Sequence, residues 1–392
     1  MKKIVIVNNN MKVGGVQKSL YNLLWAMDAE HLYDVTLLLF RKTGEYVDKL
    51  PPSVKVVECD GPFRYLGMSQ SECADHVGMK ISRGFLALIS RLFGRRWAIR
   101  LMLMKQSPLS GEYDCAISYL HNGRKESFYG GVQDYVLSRV HAKKKVAFIH
   151  GDYGRCGANH PANNRMMERF DRIAACSDGC RRTVEAVLPH LKDKCITVPN
   201  CHRYDEIRAL AEEDPLLYDP EVVNAVTVSR LSHEKGIERA IQAVADARTK
   251  GLPVKLHIVG GGPMGGALTK LVTDMHLDDS VVFLGEQSNP YRYMKNADLF
   301  LLTSFHEAAP MVVDEARFLS LPVLTMATTS SQEMVTDVAG GWVCENDQMA
   351  LSKALCDLAG NRDALRVCKE KLAQYKADNN KALARFHDLM EI

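Results

Sequence analysis

Four apolar segments, Val222 to Val228, Val254 to Val259, Val281 to Gly285 and Leu299 to Thr303, follow one another within a single domain's length. Each is short, rich in branched aliphatic residues and closed by glycine or polar residues, the signature of strands buried on both faces. With helical stretches between them they predict an α/β fold built on a parallel sheet. Ligands in such sheets bind beyond the carboxyl ends of the strands. The residues that directly follow each segment therefore carry the functional information.

Those residues share one chemistry. Arg230 and Lys235-Gly236 follow the first segment, two fixed cations suited to a leaving diphosphate. Gly260 to Pro263 follow the second, a loop whose missing side chains would let a nucleotide approach the backbone. The fourth runs into Ser304 to Glu315, which sets Glu307 and Glu315 eight positions apart across a turn that opens a helix. Pro310 suits the first turn of that helix, Met311 to Leu319 has helical spacing, and Glu315 is expected about two turns in. Free N–H groups of the first turn would lie between the acids, ready for a diphosphate. Taken singly, each acid reads as a solvated surface residue and the glycine loop as a weak signal. Their succession on consecutive strand ends is what makes them a site.

In this order the motifs resemble the retaining, nucleotide-sugar-dependent glycosyltransferases of family four. These have the GT-B fold, two Rossmann-like domains facing a deep cleft. The family's Arg and Lys-Gly, its Gly-x-Gly-Pro turn and its Glu-x7-Glu pair correspond to Arg230 with Lys235-Gly236, Gly260 to Pro263, and Glu307 with Glu315. Its Glu-Gly-x-Pro is Glu307-Ala308-Ala309-Pro310 here, so Ala308 adds a methyl beside the donor sugar. That departure bears on sugar identity more than on reaction class. The resemblance continues through Ser331 to Val335 and Gly340 to Val343.

It implies that Arg230 and Lys235 stabilise the departing diphosphate, helped by backbone N–H groups near Gly15 and at Met311 and Val312. Glu307 would hold hydroxyls of the donor sugar, and Glu315 the ribose. Gly14, Gly15, Gly260, Gly262, Pro263, Ala309 and Pro310 would line the nucleotide. The acceptor would attack from the front face while the leaving phosphate oxygen takes its proton. With two cations at the diphosphate and no Asp-x-Asp motif, neither a metal nor a cofactor is expected beyond the nucleotide-sugar co-substrate, read as a UDP-sugar. The acceptor would be a glycan or a polyprenyl-linked glycan. A nucleotide-sugar epimerase on the same scaffold and a non-catalytic sugar-nucleotide binding protein are the alternatives.

In the N-terminal half, Met1 to Val7 reads as a strand, Asn8 to Val13 as a polar loop, and Gly14 to Leu20 as the start of an amphipathic helix ending near Met27. The glycine pair resembles the family's phosphate-facing loop and fits an ordinary tight βα turn equally well. Val146 to Gly151 is another apolar strand, and His150 at its end matches the family's histidine near the reacting sugar better than His121 does. Residues 1–203 are expected to form one domain, 204–221 an acidic, proline-containing hinge, and 222–379 the nucleotide-binding domain. The resemblance implies that a last helix within 380–392 returns to the first domain. The 392 residues, 46% of them hydrophobic, suffice for two cores.

A net charge of +3 does not suggest a nucleic-acid partner. Its distribution is more telling. Between His76 and Gly111 there is no acid, while Lys80, Arg83, Arg91, Arg95, Arg96, Arg100 and Lys105 punctuate an apolar run. On a helical wheel Ile81, Phe85, Leu88, Ile89, Leu92 and Phe93 share one side, opposite Arg83, Arg91 and Arg95. Residues 80–105 thus outline an interfacial helix for an anionic membrane. The alternative is a core-facing helix with a solvated basic edge, against which the charge bias and Trp97 speak. No apolar run reaches the ~18–20 residues of a membrane span, and no signal-peptide core follows Lys2-Lys3. Eleven scattered cysteines point to free thiols in a reducing cytoplasm, and the spacing of Cys176, Cys180, Cys195, Cys201 and His202 matches no standard zinc pattern. The expected location is the cytoplasm, at the inner face of the cell membrane.

Overall fold

The computed structural model describes residues 1–69, 71–73 and 77–391, so His76 and Ile392 lie outside the described residues. The chain divides into two compact units, residues 1–202 with 379–392, and residues 203–378. Each is a parallel sheet between layers of helices.

The first unit holds seven strands: β1 Lys2–Asn8, β2 Tyr33–Leu39, β3 Lys55–Glu58, β4 Glu112–Ser118, β5 His141–Ile149, β6 Arg172–Ala175 and β7 Cys195–Thr197. Their order is β3-β2-β1-β4-β5-β6-β7, with every pairing parallel. Side chains alternate across a strand, so Ile4 and Ile6 enter one apolar layer and Val5 and Val7 the other. This is why β1 reads as a continuous apolar run. Helix α1, Gly15–Glu30, covers the Ile4 side with Leu20, Leu23, Leu24 and Met27. The C-terminal helix Asn380–Met390 packs on the same layer, with buried Phe386 edge-on to Tyr33 at 5.9 Å. Lys144 donates to Leu389 O at 2.7 Å and Lys2 to Met390 O at 3.2 Å, which satisfies carbonyls that a helix end leaves open.

The second unit holds β8 Val223–Val228, β9 Val254–Val259, β10 Val281–Gly285, β11 Leu299–Leu302, β12 Val323–Met326 and β13 Gly341–Cys344, in the order β10-β9-β8-β11-β12-β13. The chain winds outward from β8 in one direction and from β11 in the other. Reversal between neighbouring strands creates a crevice at their carboxyl ends, where ligands bind in doubly wound sheets. The segment read as a hinge belongs to this unit instead. Its helix Tyr204–Glu212 buries Ile207 and Ala211 in the second unit's core, because its apolar positions fall on one face despite the acidic flank.

Two helices follow Val77 in the first unit, α2 Val77–Phe93 and α3 Arg95–Lys105, broken at Gly94, whose φ of 88° favours glycine. Helix α2 buries Leu86 and Ser90 and leaves Ile81, Phe85, Leu88 and Leu92 more than half exposed. The wheel thus misplaces two residues. Ile89 packs partly against the core, and Arg95, expected on the solvated side, is only 2% exposed. Arg95 belongs to α3, past the break, where Asp134 at 3.4 Å and Asn163 Oδ1 at 3.1 Å receive its guanidinium.

Candidate functional site

The site in the second unit is built where β8 and β11 end side by side. After β8, Gly236 turns the chain at φ 59°, and a Cβ there would stand 2.4 Å from Thr303 O, just past β11. Thr303 Oγ1 donates to Gly236 O at 2.8 Å, and Phe305 N–H donates to Glu234 O at 3.0 Å. These contacts bind the two strand exits together, and so bring Lys235 to Glu307.

Lys235 Nζ lies 2.7 Å from Glu307 Oε1, and Ser304 Oγ donates to the same oxygen at 2.6 Å. Glu307 is 11% exposed at its side chain and Lys235 27%, so this pair is sheltered yet open to a ligand. Arg230 lies on the exposed side and pairs with Glu234 at 2.6 Å. Burial works to raise the Glu234 carboxyl, but hydrogen bonds from Ser232 and Arg230 outweigh it and hold the group down at about 2. The site therefore contains two cation–carboxylate pairs, and a diphosphate would compete with Glu234 and Glu307 for the cations.

Helix Met311–Phe318 starts after Pro310, which stands in the N-cap position and not in the first turn. Glu315 consequently lies about one turn into the helix, not two. It is 3% exposed, which removes the reading of a solvated helix acid. The first-turn N–H groups at Met311 and Val312 have no intrahelical carbonyl to reach. Ala309 and Pro310 form the approach to that helix end.

The glycine loop after β9 has a different cause from the one expected. Gly260 has φ 139° and Gly262 φ 153°; a Cβ would meet Ser229 O at 1.9 Å and Leu231 O at 2.5 Å. The side chains are missing to let the loop lie on the exit of β8, with Leu231 N–H donating to Gly261 O at 2.8 Å. Pro263 is exposed in the next turn. Sequence reasoning missed three supporting residues. Asn346 Nδ2 donates to Phe305 O and Ala327 O, Arg239 donates to Asn346 Oδ1 at 2.8 Å, and the Arg239 guanidinium sits 4.6 Å from the Phe305 ring centre. With Ser304 they fix the loop that presents Glu307. None has a local signal beyond its residue type.

In the first unit, α1 begins at Gly15 immediately after the β1 loop, with Gly14 at its N-cap. Gly14 has extended backbone that any residue adopts, and nothing stands within 4 Å of a Cβ at Gly15. Neither glycine is demanded by the turn itself. His150 follows β5, its ring stacked on Phe148 at 5.3 Å, and its backbone N–H donates to His121 Nδ1 at 3.3 Å. Burial, and then the neighbouring His121, push the His150 imidazole down to about 3, and burial takes His121 down to about 4. Both rings are neutral at neutral pH, and His150 Nε2 has no hydrogen-bond partner. The two histidines read as rivals are thus neighbours in one cluster.

Among the described residues no group of three His, Cys, Asp or Glu is arranged to hold a metal ion, and no helix is long and apolar enough to cross a membrane. All eleven cysteines are free thiols.

Residues 215–375 match the family model described as glycosyl transferases group 1. A variant of TarM from S. aureus, solved with fondaparinux, α-GlcNAc-glycerol and UDP, superimposes with a TM-score of 0.67 over all of both chains at 12% identity, a likeness of fold. An uncharacterised glycosyltransferase of Methanocaldococcus jannaschii is 30% identical over 151 residues, and the chain spans 37% of that relative. The N-acetylgalactosamine-N,N'-diacetylbacillosaminyl-diphospho-undecaprenol 4-alpha-N-acetylgalactosaminyltransferase of Campylobacter jejuni is 31% identical over 366 residues, 88% of this chain and 87% of that enzyme. On that near full-length match, joined to two Rossmann-like units of GT-B type, the chain belongs to the group 1 glycosyltransferases.

Proposed function

We propose that the protein transfers a sugar, with retention of anomeric configuration, from a UDP-sugar to a hydroxyl of a glycan carried on a polyprenyl diphosphate, in cell-surface polysaccharide or glycoconjugate synthesis. The observation that carries this reading is the convergence of Arg230, Lys235, Glu307 and the start of helix Met311–Phe318 at the β8/β11 crevice. The lipid-linked acceptor named in the Campylobacter relative supports the acceptor class. As the bond from the sugar's C1 to the phosphate oxygen breaks, charge grows on the diphosphate, and Arg230, Lys235 and the first-turn N–H groups meet it. Glu307, released from Lys235, accepts from donor-sugar hydroxyls, and Glu315 accepts from the ribose. The acceptor oxygen bonds to C1 on the same face and passes its proton to the departing phosphate oxygen. No step calls for a metal.

The test is turnover of UDP-, GDP- and ADP-sugars with a lipid-linked or short glycan acceptor, reading the product's anomeric configuration by NMR. A product of inverted configuration, or release of an epimerised sugar without acceptor, overturns the reading.

The two acids are expected to separate. Glu315→Gln weakens binding of free UDP, whereas Glu307→Gln leaves it within a few-fold and lowers turnover and donor-sugar discrimination, because the carboxylates face different parts of the donor. Calorimetry with UDP decides. An equal loss of UDP affinity in both variants contradicts the division.

The exposed apolar stripe of α2 is the surface we assign to an anionic membrane. Ile81, Phe85, Leu88 and Leu92 would enter the interface while Lys80 and Arg91 meet lipid phosphates. Leu88→Ser with Leu92→Ser is expected to remove most co-sedimentation with phosphatidylglycerol-containing vesicles. A wild-type chain that ignores such vesicles at low salt returns this stripe to a protein partner.

A further inference from the structure

The break between α2 and α3 opens a cavity of about 530 Å³ that no step of the proposed transfer uses. Its lining includes Arg96, Arg100, Lys125 and Arg165 together with the aromatic side chains of Phe93 and Trp97. Among the described residues none of the four cations is ion-paired. The one carboxylate lining the cavity, Asp134, is already committed to Arg95 at 3.4 Å and to the Asn122 amide at 3.0 Å. Arg95 itself lines the cavity, is 2% exposed, and leaves its Nε without a partner. Four cations without ion-pair partners line one cavity with the buried Arg95, whose own charge Asp134 meets, and they form an anion site because guanidinium groups match phosphate oxygens in pairs.

The aromatic lining gives the anion its carrier. Phe93, the last residue of the α2 stripe, and Trp97 in the first turn of α3 are both more than half exposed. The Arg100 guanidinium stands 6.0 Å from the Trp97 ring centre, so charge and aromatic surface adjoin in the cavity lining. A free inorganic anion would use only the cations. A phosphate attached to a hydrocarbon chain would use the cations and the aromatic lining together.

We propose that this cavity binds the phosphate group of a lipid, with Arg96, Arg100, Lys125 and Arg165 on the phosphate and Phe93 and Trp97 against the first carbons of its chain. The proposal rests on the membrane orientation assigned above and adds a defined headgroup site to it. Two lipid phosphates have this chemistry, the headgroup of an anionic phospholipid and the diphosphate of a polyprenyl carrier.

The experiment titrates the full chain with dihexanoyl phosphatidic acid below its micelle concentration, geranyl diphosphate and inorganic phosphate, by calorimetry. The variants are Arg100→Gln with Arg165→Gln, both exposed and remote from the core, and Leu88→Ser with Leu92→Ser on the α2 face. At least one lipid phosphate is expected to bind at least tenfold more tightly than inorganic phosphate, and the tighter of the two identifies the source. The arginine variant is expected to lose that binding at least tenfold with its melting temperature unchanged, while the face variant retains it. Equal affinity for inorganic phosphate and both lipids, or undiminished binding in the arginine variant, overturns the proposal. A face variant that still sediments on anionic vesicles sinks the membrane orientation alone, since short-chain lipid binding reports on the cavity without a bilayer.

Discussion

Lys235→Ala is expected to lower turnover on the correct donor by roughly 10²-fold or more, about 2.7 kcal/mol of barrier, the usual scale for losing one preorganised charge partner. In the free chain Lys235 pairs with Glu307 at 2.7 Å, and the proposed reaction transfers that cation to the departing diphosphate. The variant therefore loses twice. The diphosphate lacks a counter-charge, and Glu307, 11% exposed, is left with Ser304 as its remaining hydrogen-bond donor in this network. Arg230→Ala is expected to cost a similar factor in turnover with little change in stability, because Arg230 is largely exposed and surface ion pairs contribute about 0–1 kcal/mol. Steady-state kinetics with thermal melts checks both. Near-wild-type turnover in either variant removes that residue from the diphosphate.

A second large effect separates glycines that the fold needs from a glycine that a ligand needs. Gly260→Ala is expected to destabilise the second unit by about 3 kcal/mol or more, since φ 139° is strained for alanine and its methyl would meet Ser229 O at 1.9 Å, backbone that cannot swing aside. For a unit of this size that corresponds to a fall in melting temperature of roughly 6–12 °C. Gly15→Ala is expected to leave the melting temperature unchanged within about 2 °C, because its new methyl meets nothing within 4 Å at the start of a helix. If donor phosphates approach the N-terminus of α1, the same methyl obstructs them and turnover falls about tenfold or more. Full activity in Gly15→Ala would make the pair an ordinary turn.

Much of the second unit was legible because its strands are buried on both faces and each ends in punctuation. Val254 to Val259 and Val281 to Gly285 coincide with β9 and β10, and β8 and β11 differ from their expected spans by one residue. No expectation covers strands β2, β3, β4 and β12. The span Lys55–Glu58 is only partly buried, so it carries no apolar run to see. Helix Tyr204–Glu212 was mistaken for linker because acids and prolines around it outweighed two buried positions, Ile207 and Ala211. Arg95 was misassigned because a wheel continues through Gly94, whereas the chain does not.

By itself the sequence determined the fold class and the inventory of the site. Two cations, two acids and a glycine loop follow successive strands, and alternation of strand and helix leaves those positions at one edge of a parallel sheet. The pairings within that inventory were decided by tertiary structure alone. Lys235 meets Glu307, 72 positions away, because Gly236 and Thr303 bring two strand exits into backbone contact. Glu234 takes Arg230, while Asn346 and Arg239 fix the loop from outside any motif. Such contacts depend on strand order, and the reversal between β8 and β11 is set by how the whole sheet packs rather than by the identity of any one residue. The fate of the basic apolar stretch was decided the same way. Core packing selected Leu86 and Ser90 for burial and left Phe85 and Leu88 to solvent, a choice that hydrophobicity alone could not make.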